Sequence, residues 1–306
     1  MDIRQAALDD TEAISARFRA EIGVWQRLNE QGRVEDVPYE ALSVYERWLH
    51  GGAWMSVETG AIFLNHLLLG AGLPLVAVQD GQVVGYAEVY HNVEGEPFGS
   101  HLHVAHLLAD DEATTDMLLD AVIDAGKTRK CQYVTFGQPL VETAARRYEL
   151  TTLACLRRYS LPARTGQVFY RAVDHVDANP AQIEGWSMPV GRMTSARHQW
   201  EILFPGIFET IPEMHQRKTH RLRFTAGVQD AFVVCKQQLY DPRSADFFIW
   251  TLKGLAPGTI TALRDWAHRE GYRTLWMPTL ENAENALGPE AESDVFTLET
   301  HAISLR

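Results

Sequence analysis

The chain contains no apolar run close to the roughly 20 residues that a bilayer-spanning helix needs. Its opening, MDIRQAALDD, lacks the basic start, apolar middle and small-residue cleavage site of an export signal. A cytoplasmic protein with no membrane partner is the expectation. Basic charge is also short: 28 Lys and Arg against 40 Asp and Glu leave a formal net charge of −12. Phosphate backbones are held by clustered cations, so no nucleic-acid partner is expected. The densest basic patches, Arg146-Arg147, Arg157-Arg158 and Gln216-Arg217-Lys218, are short enough to be solvated faces. Cysteine is limited to Cys131, Cys155 and Cys235, an odd and widely spaced set in apolar surroundings. Buried thiols fit that pattern better than disulfides or zinc ligands.

What is present suffices for two cores. The chain has 306 residues, of which 46% are hydrophobic and 22% charged, an ordinary globular balance. After a short strand at residues 2–6, Thr11 opens a helical run through Leu28 with apolar residues at Ile14, Phe18, Ile22 and Trp25, one helix face. Further helices are expected near 39–49 and 59–69, in a stretch rich in aromatic residues. The period then changes from helical to alternating. Residues 74–78 and 83–90 flank Asp80-Gly81, the dipeptide that most often closes a two-residue hairpin. A strand from His101, a helix over 113–127, a strand over 132–136, a helix over 141–149 and a closing strand over 151–163 complete the first half.

The second half repeats this order. Residues 221–228 and 231–240 read as a hairpin turning at Gln229-Asp230, followed by a strand at 245–252. A helix over 257–270 has Pro257 in its permitted first turn and Gly271 at its end. A strand at 273–277, a helical turn at 282–286 and a final strand at 294–305 follow. The divide falls where ARTG and DANP supply turn residues, giving domains over 1–168 and 180–306. The fold class is α/β (α+β), with the same sheet-and-helix unit built twice and a separate sheet expected in each half.

That order resembles the GCN5-related N-acetyltransferase (GNAT) superfamily, and the tandem layout is similar to mycothiol synthase. The resemblance implies acetyl-CoA as co-substrate, lying in a splay between two central strands. Its pyrophosphate would rest on a Gln/Arg-x-x-Gly-x-Gly/Ala loop that opens a helix, where free N–H groups and the positive helix end favour an anion. In the first half, Asp110, Ala113 and Thr115 stand at the three motif positions, and Asp110-Asp111-Glu112 sets carboxylates beside the phosphate. That loop reads as a helix cap. In the second half, Thr251 takes the Gln/Arg position, Lys253 adds a cation, and Gly254-Leu255-Ala256 meets the glycine core. The resemblance therefore assigns the pyrophosphate to Lys253, Gly254, Leu255 and Ala256, and the pantetheine arm to strand residues Phe247, Ile249 and Trp250. Asn282 takes a cofactor-contacting place after the next strand.

Acyl transfer to an amine needs a base, oxyanion donors and an acid for the departing thiolate. In the first half Tyr148 and Ala144 match the family's Asn-x-x-Ala-x-x-Leu-Tyr register, so the resemblance implies Tyr148 as the acid. Glu88, between Tyr86 and Tyr90 on one strand face, and His103 are candidate bases; a polar, half-exposed strand face is the plainer alternative. His101, His103 and His106 invite a metal, but no nearby Cys or second His pair completes a ligand set. Trp25, Tyr39, Tyr45, Trp48 and Trp54 lie where the family's acceptor-binding helices lie. The expected activity is acyl-CoA-dependent N-acetylation of a small-molecule or peptide amine, by a monomer or homodimer. The alternative is a GNAT-like binding protein that has lost catalysis.

Overall fold

The computed structural model describes residues 1–137, 140–209, 211 and 218–306. Gln216 and Arg217 of the third basic patch lie outside them. The chain packs as two compact units, one of residues 1–90, 104–125 and 207–216, the other of residues 91–103, 126–206 and 217–306.

The elements wholly or mostly in the first unit are β1 (Asp2–Gln5), α1 (Thr11–Ala20), β2 (Gln26–Leu28), β3 (Val34–Asp36), α2 (Val44–Trp48), α3 (Val57–His66), β4 (Leu73–Gln79), β5 (Gln82–Val93), β6 (Ser100–Ala109) and α4 (Glu112–Thr128). The strand order is β1-β4-β5-β6, with β1 and β5 antiparallel to β4. Asp80 and Gly81 both have positive φ, 52° and 80°. That geometry matches the twist of the flanking strands, as the Asp-Gly signal requires. Helix α1 stops at Ala20, eight residues before the expected end; Gly23 follows, and β2 and β3 form a small hairpin around Gly32. Ile14 and Phe18 are buried as the helical spacing demands. Phe18 stacks on Trp54 with centroids 5.6 Å apart, and Trp54 meets Tyr86 edge-on at 5.2 Å. Aromatic residues thus form this core, each fully buried side chain contributing on the order of 2 kcal/mol.

The second unit contains β7 (Tyr133–Phe136), α5 (Leu140–Ala145), β8 (Leu150–Pro162), β9 (Tyr170–Asp174), β10 (Ser187–Val190), α6 (Ala196–Leu203), β11 (Thr219–Ala226), β12 (Gln229–Gln237), β13 (Ser244–Thr251), α7 (Pro257–Arg269), β14 (Thr274–Leu280), a 3-10 turn at Glu281–Ala286, and β15 (Glu292–Ser304). The strand order is β7-β15-β8-β14-β10-β13-β12-β11-β9. The hairpin of β11 and β12 turns at Gly227-Val228, two residues before the expected Gln229-Asp230, because Gly227 supplies the positive φ of 60°. Asp230 instead accepts from Thr225 across the ladder at 2.6 Å.

The expectation of a separate sheet in each half is not met. The two closing strands are exchanged: β8, made by the first half, pairs with β14 of the second, and β15 enters between β7 and β8. Strands of both halves therefore share one hydrogen-bonded sheet in this unit. Its main core gathers on β11 to β14 and α7 around Phe224, Val233, Phe247, Leu263 and Leu275. A second, aromatic cluster joins Trp200 and Phe204 of the α6 region to Phe232 and Trp250.

Candidate functional site

The strand pair β13 and β14 runs parallel and is hydrogen-bonded at Ser244↔Thr274, Ala245↔Leu275 and Asp246↔Trp276. Beyond Asp246 the two strands separate. A third segment, β10, enters the opening. Its Val190 pairs with Ile249 on one side and with Thr279 on the other, and Ser187 pairs with Thr251. The Ser187 hydroxyl donates to the Thr251 carbonyl at 3.2 Å, and the Gly191 amide to the Pro278 carbonyl at 2.6 Å. Met188 and Val190 are completely buried. Gly191 makes the approach feasible: its φ is +82°, and a Cβ there would lie 2.5 Å from the Phe248 ring and 3.0 Å from the Phe247 carbonyl. Only glycine fits such a position without moving the neighbouring strand.

The other edge of β13 pairs with β12 from Ala231↔Thr251 to Gln237↔Ala245. Phe247, Ile249, Trp250 and Thr251 are all fully buried. Phe247 and Ile249 face the main core, and Trp250 donates from its indole to the Ala196 carbonyl at 3.0 Å. The pantetheine pairing expected along this strand meets an edge already used by β10.

The loop after β13 opens α7, as the sequence indicates. Its polar groups are engaged from the neighbouring hairpin. The Gln229 amide donates to the Gly254 carbonyl, and its oxygen accepts from the Ala256 amide at 3.1 Å and from the Thr259 hydroxyl. Pro257, the first helical residue, has no N–H to offer. A helix start attracts anions through unpaired N–H groups, and here the Ala256 amide is paired with a neutral amide oxygen. Lys253 is exposed. Gly254, Leu255 and Asn282 do come together, lining a cavity of about 250 Å³ with Ser187 and Pro189 of β10 and Phe98.

No family model and no curated protein matches the sequence. Solved structures do match it over its length. A GCN5-related N-acetyltransferase from Anabaena variabilis superposes with a TM-score of 0.61 at 8% identity, over 100% of this chain and 73% of that one. A probable N-acyltransferase from Enterococcus faecalis gives 0.60 at 9%, over 100% and 72%. A GCN5-related N-acetyltransferase from Kribbella flavida gives 0.58 at 12%, over 99% and 72%. The fold is that of the GCN5-related N-acetyltransferases.

Within this GCN5-related fold, the first-half candidates fall at separate places. Glu88 is completely buried and accepts from the Trp54 indole at 2.9 Å, the Tyr86 hydroxyl at 3.1 Å and the Tyr90 hydroxyl at 2.8 Å. The three residues of one strand face do meet, but in the interior; the half-exposed face expected there is not found. Burial, with the Glu88 carboxylate beside it, pushes the Tyr86 phenol well above its ordinary range. His103 is buried, with Nδ1 3.1 Å from the Thr135 hydroxyl. Tyr148 lies just past α5, half-buried, with its amide donating to the Ala144 carbonyl at 3.0 Å and the Arg147 guanidinium 5.4 Å from its ring. At the start of α4, Asp111 accepts from the Thr114 amide at 2.7 Å, and Asp110 is ion-paired with Arg17 at 2.8 Å. This loop caps its own helix. Trp54 is core, Trp48 packs on Phe208, and Trp25 packs on Tyr39, whose ring lies 4.1 Å from the Arg47 guanidinium. Among the described residues, no group of three or more His, Cys, Asp or Glu could hold a metal ion.

One buried polar cluster of the GCN5-related fold escaped the sequence reading. Arg192 grips Glu94 with two hydrogen bonds, at 3.1 and 3.2 Å, and donates to the Thr300 hydroxyl at 3.3 Å. Its guanidinium lies 3.4 Å from the centre of the Phe98 ring. Glu94 also accepts from the Ala196 amide at 3.1 Å and meets His101 at 3.4 Å. Burial alone would push the Glu94 carboxyl up, but Arg192, His101 and the Ala196 amide hold it below the usual range. His101 is driven down to about 4 by burial, so it is neutral at pH 7. The two charged partners stand 98 residues apart in sequence, and no local pattern announces them.

Proposed function

We propose that this chain uses the GCN5-related scaffold to bind a small ligand, and that its second half does not take acetyl-CoA. The observation that carries this reading is β10 between β13 and β14. A pantetheine arm would have to break the backbone pairing of Ser187 and Val190 and expel two buried side chains, each contributing on the order of 2 kcal/mol. Engagement of Ala256 by Gln229 supports the same reading from the phosphate end. Residues 1–168 and 180–306 are taken as the two copies of the unit. Calorimetry with acetyl-CoA tests this directly: no binding heat is expected. Micromolar affinity that Lys253→Glu abolishes would restore the cofactor to Lys253, Gly254, Leu255, Ala256 and Asn282.

A second reading keeps the chemistry that the fold relatives carry: acyl-CoA-dependent N-acetylation of a small-molecule or peptide amine, working from the first half. Tyr148 favours it, being half-buried beyond α5 in the register of the family's thiolate acid. Under this reading, amine-dependent release of free CoA is measurable, and Tyr148→Phe lowers kcat about 100-fold with KM unchanged. Glu88 enters this chemistry only if its three donors give way. His103 enters as base only on parting from Thr135. The partner is a small ligand under the first reading and an amine acceptor under the second, and sedimentation distinguishes monomer from homodimer.

A further inference from the structure

Strand β9 ends the sheet of the second unit, with β11 on one side and, among the described residues, no strand on the other. Its pairing with β11 runs without a break from Tyr170↔Ala226 to Asp174↔Leu222. The His175 amide, next along the chain, donates to the Arg221 carbonyl at 2.8 Å. Antiparallel pairs alternate between hydrogen-bonded and unbonded, so Arg171, Val173 and His175 turn their backbone groups to β11. Tyr170, Ala172 and Asp174 turn theirs the other way, onto the open edge. Such an edge is a template for another strand unless proline, lysine, a bulge or a covering segment blunts it. β9 holds neither proline nor lysine, and its register has no shift. Phe169 and Val176, flanking its two ends, are 99% and 93% exposed.

This edge is complementary to itself. We propose that two copies of this chain dimerise by antiparallel pairing of β9 with β9, about a two-fold axis at Ala172. An axis normal to the sheet keeps each residue on its own face, so even-numbered residues meet even-numbered ones. Centred on Ala172, it pairs Ala172 with itself and Tyr170 with the second copy's Asp174, and every outward amide and carbonyl of β9 finds a partner. Centred one residue either way, it makes part of the strand reach past the end of its mate. Charge agrees with the Ala172 register. The exposed Asp174 carboxylate comes to the second copy's Tyr170, and in each copy the Tyr170 ring lies 5.9 Å from the Arg269 guanidinium. On the outer face, Arg171 comes to the second copy's Val173. The Phe169 end of each copy meets the Val176 end of the other, which covers both apolar side chains.

Sedimentation velocity on the full chain tests the pairing. A patch this short belongs with small, reversible interfaces, so the dimer should build up as concentration rises from about 1 to 200 µM. Ala172→Pro removes an outward N–H and spares the β11 ladder. It should be monomeric throughout that range with Tm unchanged. Val173, at an exposed position, gives two opposite outcomes. Val173→Glu sets a carboxylate opposite the second copy's Arg171 and should tighten the dimer by about threefold or more. Val173→Lys sets a like charge there and should loosen it by a similar factor. If Ala172→Pro does not fold, the Val173 variants decide alone. A monomeric chain at the highest concentration, a dimer unmoved by Ala172→Pro, or Val173 variants that fail to shift it in opposite directions would overturn the proposal.

Discussion

The two units solve the same problem, the unpaired N–H groups at a helix start, in different ways. In the first unit α4 is capped locally: Asp111, one residue before the helix, accepts from Thr114. In the second unit a local cap, Ser195 accepting from the His198 amide at the start of α6, is joined by partners from far along the chain. Glu94 reaches the Ala196 amide and Asn92 the Arg197 amide at the start of α6, while Gln229 reaches Ala256 at the start of α7. Local capping costs one side chain and commits nothing else. Capping at a distance ties separate segments together and pairs amides that would otherwise be open to an anion. At Ala256 the second unit commits to its own cohesion an amide of the kind that an anion takes.

The largest test of this contrast is Arg192→Met, which strands the Glu94 carboxylate in the interior. Breaking a buried ion pair from one side costs about 3–5 kcal/mol, to be read from denaturant unfolding. A loss near zero would mean that Glu94 is hydrated and its cap dispensable. Next comes acid. His101 has a folded value of about 4 against an ordinary 6.5, so the unfolded chain takes up its proton first. Stability is complete above pH 6.5 and falls by on the order of 3 kcal/mol as pH drops toward 4. The lowered Glu94 carboxyl acts in the same direction, and His101→Gln should flatten that slope. Third, Gln229→Ala leaves the Ala256 amide without its acceptor, costing about 1–3 kcal/mol. The smallest effect belongs to the local cap: Asp111→Ala should lower Tm by about 2 °C. Equal losses for Gln229→Ala and Asp111→Ala would erase the distinction between the units.

Much of the fold was legible because its signals are local. Asp80-Gly81 closed its hairpin as its chemistry requires, and Pro257 and Gly271 bracketed α7. The strand-to-helix loop at Lys253 to Ala256 was also found where expected. What failed was everything decided by distant partners. The segment 187–190 contains Pro189, which argues against a strand inside a sheet; it is tolerated where the register shifts between Ser187 and Val190. β8 and β15 carry alternating patterns that suit either neighbour, so their exchange left no mark in the sequence. Helix α6 was readable in principle, since Ser195 caps it through the His198 amide, but its eight residues are too short for periodicity to stand out. The cofactor residues rest on a motif, and a motif does not show that Gln229 pairs with Gly254 and Ala256, or that β10 pairs with Ile249 and Thr251. Glu88 illustrates the same limit: its place between two tyrosines was visible, but the Trp54 indole that seals it was not.

The exchanged closing strands have a consequence for biosynthesis. Strand β7 is finished at Phe136, yet one of its neighbours is residues 292–304. At roughly 5–20 residues per second of translation, the ribosome leaves that edge bare for about ten seconds or more. A sticky strand edge held open so long invites pairing with another nascent chain, so expression at lower temperature or with chaperones should raise the yield of correctly threaded protein.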